Sequence, residues 1–255
     1  MPVARAVSRL VALQAQWATS PYVALWSRLE GFRKEQLHDP RIVKAQSLRI
    51  TLHVSERDVF ADALAATQDR YRGRLRGVVR AAPVGTWPHH KPSPERPWEQ
   101  PLPDASEAAI RIVRAYLAVY GPATRQDIVK YTGFRMGQIR PALDGMRERD
   151  GYWDVPRASV VAADTVAPVR FLPAFDSAIL AHRDRTRIVP AEYEEIVFNK
   201  KNATVKNTFT VDGFVAGAWR IEGKRIAIEP FAPLPAKWRR EVDAEGARLL
   251  AWYLG

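Results

Sequence analysis

Thr124-Arg125-Gln126-Asp127-Ile128-Val129-Lys130-Tyr131-Thr132-Gly133 decides how the middle of this chain folds. Thr124 reads as a helix N-cap, whose hydroxyl can accept from backbone N–H groups that the first helical turn leaves without partners. Ile128, Val129 and Tyr131 follow at helical spacing, and Thr132-Gly133 breaks the helix. Toward the C-terminus, Met136 to Met146 reads as another helix with Ile139 and Leu143 inward; Pro141 interrupts it by removing a backbone donor. Toward the N-terminus, Gly121-Pro122 is a turn. Ser106 caps a longer helix whose Ala109, Ile112, Val113, Tyr116 and Leu117 share one face. Helix, short helix, turn, helix and then the aromatic pair Tyr152-Trp153 is the plan of a winged helix-turn-helix over residues 106–155. Arg135, Gln138, Arg140 and Arg147 would decorate its third helix. Winged helices also serve as protein–protein modules, so the plan alone does not establish DNA contact.

Residues 81–105, with prolines from Pro83 to Pro103 and with Trp87 and Trp98 among them, read as an extended linker; His89-His90 belongs to that loop. It separates an N-terminal unit, residues 1–80, from the rest. Arg70, Arg72, Arg74, Arg76 and Arg80, interleaved with Gly73 and Gly77, suggest a strand or wing-like loop. Such a run either tracks a phosphate backbone or is a solvated basic loop. Ser55 with Asp58 makes a capping box for a helix that turns Val59, Phe60, Ala63 and Leu64 inward. The preceding Ser47-Leu48-Arg49-Ile50-Thr51-Leu52-His53-Val54 alternates like a strand, with Arg49, Thr51 and His53 on its polar face. That face either meets a phosphate or a flipped nucleotide, or is simply exposed.

Near the start stands Leu13-Gln14-Ala15-Gln16-Trp17. Val3, Val7, Leu10 and Val11 predict a helix over residues 3 to about 13. Ser20-Pro21 opens a second helix, which Gly31 closes. Gln14 continues the apolar stripe and points inward. On an ideal helix Gln16 would face nearly the opposite way, about 200° round. In an extended segment the two share a side. The pair therefore converges only if the chain leaves the helix there. Inward amides in an apolar setting cost free energy unless hydrogen-bonded. One reading is a buried Gln that satisfies a turn beside a solvated one; the other is a site.

Residues 156–255 are β-rich. Val160–Val161 and Val169–Leu172 are candidate strands, Leu172-Pro173-Ala174-Phe175-Asp176 is a bend, and a helix runs through Ile179 and Leu180. Thr208–Val211, Phe214–Ile221 and Lys224–Glu229 form a meander with turns at Asp212-Gly213 and Glu222-Gly223. Arg220, Lys224 and Arg225 gather at the second tip, where they enter a groove or protect an exposed edge. An amphipathic helix from about Ala236 to Tyr253 closes the chain.

Across 255 residues the net charge is +11, and the basic residues are mostly Arg, whose fork binds two phosphate oxygens. A nucleic acid or another polyanion is the implied partner. The chain has no cysteine, which excludes disulfides and thiolate metal sites, and its five scattered His form no zinc motif. No metal or cofactor is expected. No apolar stretch is long enough to span a bilayer, and no secretion signal is visible.

Leu13-Gln14-Ala15-Gln16, Arg49-Ile50-Thr51-Leu52-His53, Gly121-Pro122-Ala123-Thr124, Leu172-Pro173-Ala174-Phe175-Asp176 with Arg183-Asp184-Arg185, and Val211-Asp212-Gly213 with Gly217-Ala218-Trp219 occur in a telling order. Together they resemble the winged-helix DNA glycosylases of the AlkZ and YcaQ (AlkX) type. The resemblance covers nearly the whole chain. It implies an α+β fold of tandem winged helix-turn-helix units around a small β-barrel, forming a C-shaped DNA channel. It also implies double-stranded DNA as the partner; a cytoplasmic, nucleoid-associated protein is expected, and the sequence leaves its oligomeric state open, with a monomer the simpler expectation. In that family a Gln-x-Gln motif, or Gln-x-Asp in the other branch, carries the chemistry; here it falls on Gln14 and Gln16. Arg49, Thr51, His53, Arg135, Arg140, Arg220, Lys224 and Arg225 are the expected DNA contacts.

Glycosidic cleavage passes through an oxocarbenium-like state. An amide is no strong base, but it accepts a hydrogen bond from water and turns a carbonyl dipole toward growing positive charge. That suffices for a leaving group that is already cationic. The expected reaction is thus hydrolysis of N7- or N3-alkylated purines by a monofunctional glycosylase, and interstrand crosslinks are a substrate an open channel admits. No lysine lies beside the motif, which favours water over a Schiff base. Only 13 residues precede Gln14, where family members carry a further helix, and Ile50 stands where the family often has Gly. These departures keep a second reading open, a non-catalytic winged-helix DNA-binding regulator.

Overall fold

The computed structural model describes residues 1–71, 77–80, 87–88, 94–159, 161–199 and 201–255. The chain forms two compact units, Met1–Ser159 with Leu180–Arg183, and Val160–Ile179 with Asp184–Gly255.

In the first unit α1 (Val3–Arg9) ends earlier than its apolar stripe predicts. Val11 takes φ of 65° and turns the chain out of the helix, so that Leu13–Gln14 forms β1. α2 (Ser20–Trp26) follows Thr19, whose side chain makes no capping hydrogen bond, and carries Pro21 in its first turn; Gly31 lies beyond it in a turn rather than closing it. β2 (Ile42–Gln46) and β3 (Leu52–Glu56) follow.

The expected single strand over 47–54 is a hairpin bend. The Thr51 N–H donates to Leu48 O at 3.1 Å, with φ of 57° at Arg49 and 59° at Ile50. Two successive positive φ values make this a type I′ geometry, normally supplied by Asn-Gly. Arg-Ile carries no such signal, so the turn is invisible to pattern reading. A β-branched residue in the left-handed region is strained by roughly 1–2 kcal/mol. Ile50→Gly is therefore expected to raise the melting temperature by about 2–4 °C, a net gain of about 1 kcal/mol. A lower melting temperature would show that Ile50 packing outweighs the strain.

α3 (Arg57–Thr67) is capped by Glu56, whose side chain accepts from the Asp58 N–H at 3.0 Å; Ser55 is buried in β3 instead. β4 (Val78–Arg80) and β5 (Glu95–Pro97) complete an antiparallel sheet in the order β1-β3-β2-β4-β5. Residues 95–97, expected in the linker, are thus a strand. Trp98 packs edge-on to Phe60 at 5.1 Å, and that apolar contact holds the segment to the unit. Arg72, Arg74, Arg76, His89 and His90 lie outside the described residues.

α4 (Ala105–Tyr120) is capped by Asp104, which accepts from the N–H groups of Ser106 and Glu107. α5 (Arg125–Thr132) has the Thr124–Asp127 capping box at its start and Gly133, φ 75°, at its end. α6 (Met136–Leu143) accommodates Pro141 on its exposed side. β6 (Arg147–Arg149) and β7 (Tyr152–Asp154) form a hairpin, and Ala123 and Trp153 exchange backbone hydrogen bonds of 2.8 Å. Ile112, Val113, Tyr116, Leu117, Ile128 and Ile139 are buried in one core, as their spacing predicts.

The second unit contains β8 (Arg170–Leu172), then α7 (Ser177–Leu180), which crosses back toward the first unit in sequence, α8 (Glu194–Val197), and the short pair β9 (Phe198–Asn199) and β10 (Thr204–Val205). β11 (Thr208–Val211), β12 (Phe214–Glu222), β13 (Arg225–Pro230) and α9 (Ala236–Leu254) match the expected meander and terminal helix. Val161 is exposed and outside any strand; Val160 lies outside the described residues. The implied β-barrel is corrected. Among the described residues the sheets are open, this one in the order β13-β12-β11-β8. A barrel closes only when its edge strands pair, and here no ladder joins β13 to β8. α9 instead packs against β8, β11 and β13. Among the described residues no helix is long and apolar enough to cross a membrane.

Candidate active site

Gln14 is placed by its exit from α1 and by β-pairing. β1 is the edge strand of its sheet, and its register sets Leu13 opposite Val54 and Gln14 opposite His53. The Ala15 N–H extends the ladder to Leu52 O at 2.8 Å. Leu13 and Ala15 are buried, Gln14 is half-buried and Gln16 exposed. The alternation of an extended segment thus puts both amides on the side away from Leu13 and Ala15. They do not point into the core, as the apolar stripe suggests. Among the described residues the Gln14 amide has no hydrogen-bond partner. Trp17, 54% exposed, follows directly.

His53 is fully enclosed, with Ser47 Oγ 3.0 Å from its Nδ1. Burial, with the nearby Arg49 charge added, pushes its pKa down to about 3. It is neutral at any working pH and presents no charge to a phosphate. The unfolded imidazole titrates near 6.5. Below that pH the unfolded chain binds more protons, so stability falls as pH drops from 6.5 toward 3. The expected loss is about 2 kcal/mol between pH 7.5 and pH 5. Urea midpoints at pH 7.5 and 5.0 should show it in the wild type and not in His53→Gln. An equal loss in both would assign the acid sensitivity to other groups.

Arg49, at the tip of the β2–β3 bend, is largely enclosed. Its guanidinium stands 5.4 Å from the Tyr131 ring centroid, and among the described residues its Nη1 has no hydrogen-bond partner. Thr51 is half-buried. Arg70 donates to Gly133 O, so the end of the basic run packs against α5. Two hydroxyls from the helical segment reach the exit from α1: Tyr120 and Tyr131 donate to Leu10 O at 3.2 and 3.3 Å. Tyr131 falls at the helical spacing read in the sequence, Tyr120 is not singled out there, and no sequence signal marks either contact. Lys44 was also missed. It is buried in β2, and burial with the neighbouring Arg80 lowers its pKa to about 8.

On α6, Arg135 and Arg140 are exposed. Gln138 is a staple instead: its amide donates to Ala66 O at 2.8 Å and its Oε1 accepts from the Arg135 N–H. Arg147 pairs with Asp154 at 3.3 Å. In the second unit Arg220, Lys224 and Arg225 are exposed on the β12–β13 hairpin, whose turn is Gly223-Lys224, one residue on from the expected pair. Arg220 is held by Glu222 at 2.6 Å and Glu229 at 3.7 Å. The structure thus brings Gln14, His53 and Arg49 into one neighbourhood and Arg220, Lys224 and Arg225 into another. Among the described residues no group of three or more His, Asp or Glu could hold a metal ion.

The structure superposes on that of the Streptomyces sahachiroi DNA glycosylase AlkZ with a TM-score of 0.77, over 99% of this chain and 91% of that one, at 17% identity. A relative described as an interstrand DNA cross-link repair glycosylase, also from Streptomyces sahachiroi, is 23% identical over 162 residues. That match takes in 58% of this chain and 43% of the relative, less than half its length. The DNA glycosylase AlkZ-like family matches residues 7–78 and 70–252, nearly all of the sequence. With that match over nearly the whole sequence and the shared fold, the protein belongs to the AlkZ-like DNA glycosylase family.

Proposed function

We propose that this protein is a monofunctional DNA glycosylase of DNA repair. It hydrolyses the N-glycosidic bond of cationic N7- or N3-alkylated purines in double-stranded DNA, interstrand crosslinks included. The observation that carries the reading is the strand exit at Val11, after which Gln14 lies half-buried on the edge strand β1 and Gln16 is exposed just beyond it. There they accept from a water molecule and face their carbonyl dipoles toward the sugar as it gains positive charge. A carboxylate is not needed, because an alkylated purine departs as a neutral base.

The register also bears on the nucleophile. Lys44 is the amine one would choose for a Schiff base, being lowered in pKa by burial. Yet Lys44 pairs with Val54, which pairs with Leu13, whereas Gln14 pairs with His53 and His53 with Ala45. Adjacent rows of a sheet face opposite sides, so Lys44 and Gln14 are on opposite faces. This supports water as nucleophile and an abasic site as product.

The helices α4–α6 with β6–β7 act as a winged helix in this reading, presenting Arg135 and Arg140 to DNA. Arg220, Lys224 and Arg225 add phosphate contacts. Arg49, Thr51 and His53 shape the site from behind. The exposed Trp17 indole offers a stacking face beside the amides. Work on DNA places the protein in the cytoplasm with the nucleoid.

The test is release of 7-methylguanine from methylated duplex DNA, then of a base from a crosslinked duplex. The expected products are free base and an unbroken strand that breaks only on alkali treatment. Strand breakage without alkali would overturn the monofunctional reading. Tight duplex binding without release from either substrate would favour a non-catalytic DNA-binding protein.

A further inference from the structure

We propose that Tyr131, together with Tyr120, is a positioning residue for the Gln-x-Gln strand, and that the helical segment thereby sets the geometry of the amides. The proposal rests on the glycosylase reading above. It starts from a turn that the local sequence does not favour. α1 has seven residues, too few to be stable alone. The Ala12 N–H donates to Leu10 O at 2.7 Å around Val11 at φ 65°, a γ-turn of the strained hand on a β-branched residue. No glycine relieves it. Something outside the turn must hold it, and the two tyrosine hydroxyls, from α4 and α5, converge on the same Leu10 carbonyl.

Tyr131 grips the motif from its other side as well. Its ring carries the Arg49 guanidinium, and Arg49 sits in the bend that leads into β3. β3 in turn places His53 opposite Gln14. One side chain thus touches both the turn that delivers β1 and the bend that delivers its partner strand. The rings of Tyr116, Tyr120 and Tyr131 pack at 4.8–5.5 Å, contacts that phenylalanine would keep. Only the hydroxyls are specific to the Leu10 carbonyl.

Removing them lets the γ-turn relax, and misplacing a reacting group by about 1 Å costs on the order of 100-fold in rate. The Tyr120→Phe/Tyr131→Phe double variant is expected to release 7-methylguanine about 10–100-fold more slowly in single turnover at saturating enzyme. Its duplex Kd should stay within about twofold, since neither hydroxyl faces DNA in this reading. Amide hydrogen exchange over residues 11–16 should accelerate. A merely structural role would lower the melting temperature and leave the single-turnover rate of folded protein unchanged.

Wild type measured alongside separates the two claims. No release by wild type from either the methylated or the crosslinked duplex sinks the glycosylase reading itself. Release by wild type with a double-variant rate within twofold overturns the positioning role, whatever the melting temperature. Should the double variant not fold, the single variants Tyr131→Phe and Tyr120→Phe are judged by the same rate criterion.

Discussion

Gln14→Ala/Gln16→Ala protein is expected to lose release of 7-methylguanine by at least about 100- to 1000-fold, the usual effect of deleting a preorganised polar group aimed at transition-state charge. Duplex affinity should stay within twofold, because phosphate contacts, which dominate affinity, come from the Arg and Lys side chains. The melting temperature should also hold. Gln16 is exposed and outside the ladder, and Gln14 is half-buried and pairs with His53 through its backbone rather than its amide. The two single variants should each show most of the loss, since groups sharing one water act as a unit. Gln16→Asp is the informative contrast. The other branch of the family that this sequence resembles carries Gln-x-Asp, and a carboxylate accepts from water and opposes positive charge at least as well as an amide. That variant should keep measurable release. Full activity in the double alanine variant would remove the chemistry from this strand altogether.

Much of the fold was legible because its signals are local. Thr124 caps α5 as read, with Asp127 completing a capping box that the reading did not name, Gly133 ends the helix, and the apolar spacing of α4 maps onto the buried core. Asp212 at φ 48° and Gly213 at φ 82° make the hairpin turn that their pair announces. The misreadings share a cause: tertiary contacts overruled local pattern. Arg49-Ile50 alternates like a strand but is bent by the pairing of β2 with β3, and Val11 continues a helical stripe but is turned out of it. Cap positions moved by a residue or more where a neighbouring acid reaches the free N–H groups, as at Glu56 and Asp104.

The site was half legible for the same reason. Spacing alone left Gln14 and Gln16 ambiguous, and their convergence required a break that the apolar pattern argues against. The tyrosine contacts to Leu10 bridge more than 100 residues of sequence, and Lys44 looks like any strand lysine until the register is known. The motifs of the C-terminal third, which carry much of the resemblance, are of a different kind. The Trp219 indole donates to Leu172 O at 3.0 Å and to Thr208 O at 3.1 Å, and Asp212 accepts from the Ala167 N–H at 2.9 Å. These residues tie one sheet together. They identify the fold, whereas Gln14 and Gln16 are the residues proposed for the reaction.

Gly217→Ala follows from that distinction and is expected to be the most destabilising single change in the second unit. Gly217 stands opposite Phe209 in the β11–β12 ladder, just before the register shift between Phe209 and Thr210. A Cβ there would overlap the Phe209 ring and lie 2.5 Å from Glu229 O on β13. Neither neighbour can yield cheaply. Phe209 is fully buried and stacked on Phe171 at 5.6 Å, and Glu229 O belongs to the backbone of the adjacent strand. Relief therefore demands that β12 move away from one partner or the other, which breaks the strand pairing that seats Trp219. Overpacking of this kind costs about 3 kcal/mol, or about 6–12 °C in melting temperature for a domain of this size. Scanning calorimetry gives the shift, and proteolysis should cut first within residues 208–230. A melting temperature within 2 °C of wild type would mean that the sheet yields where its packing says it cannot. The Gly-Ala-Trp motif would then need a reason outside the fold.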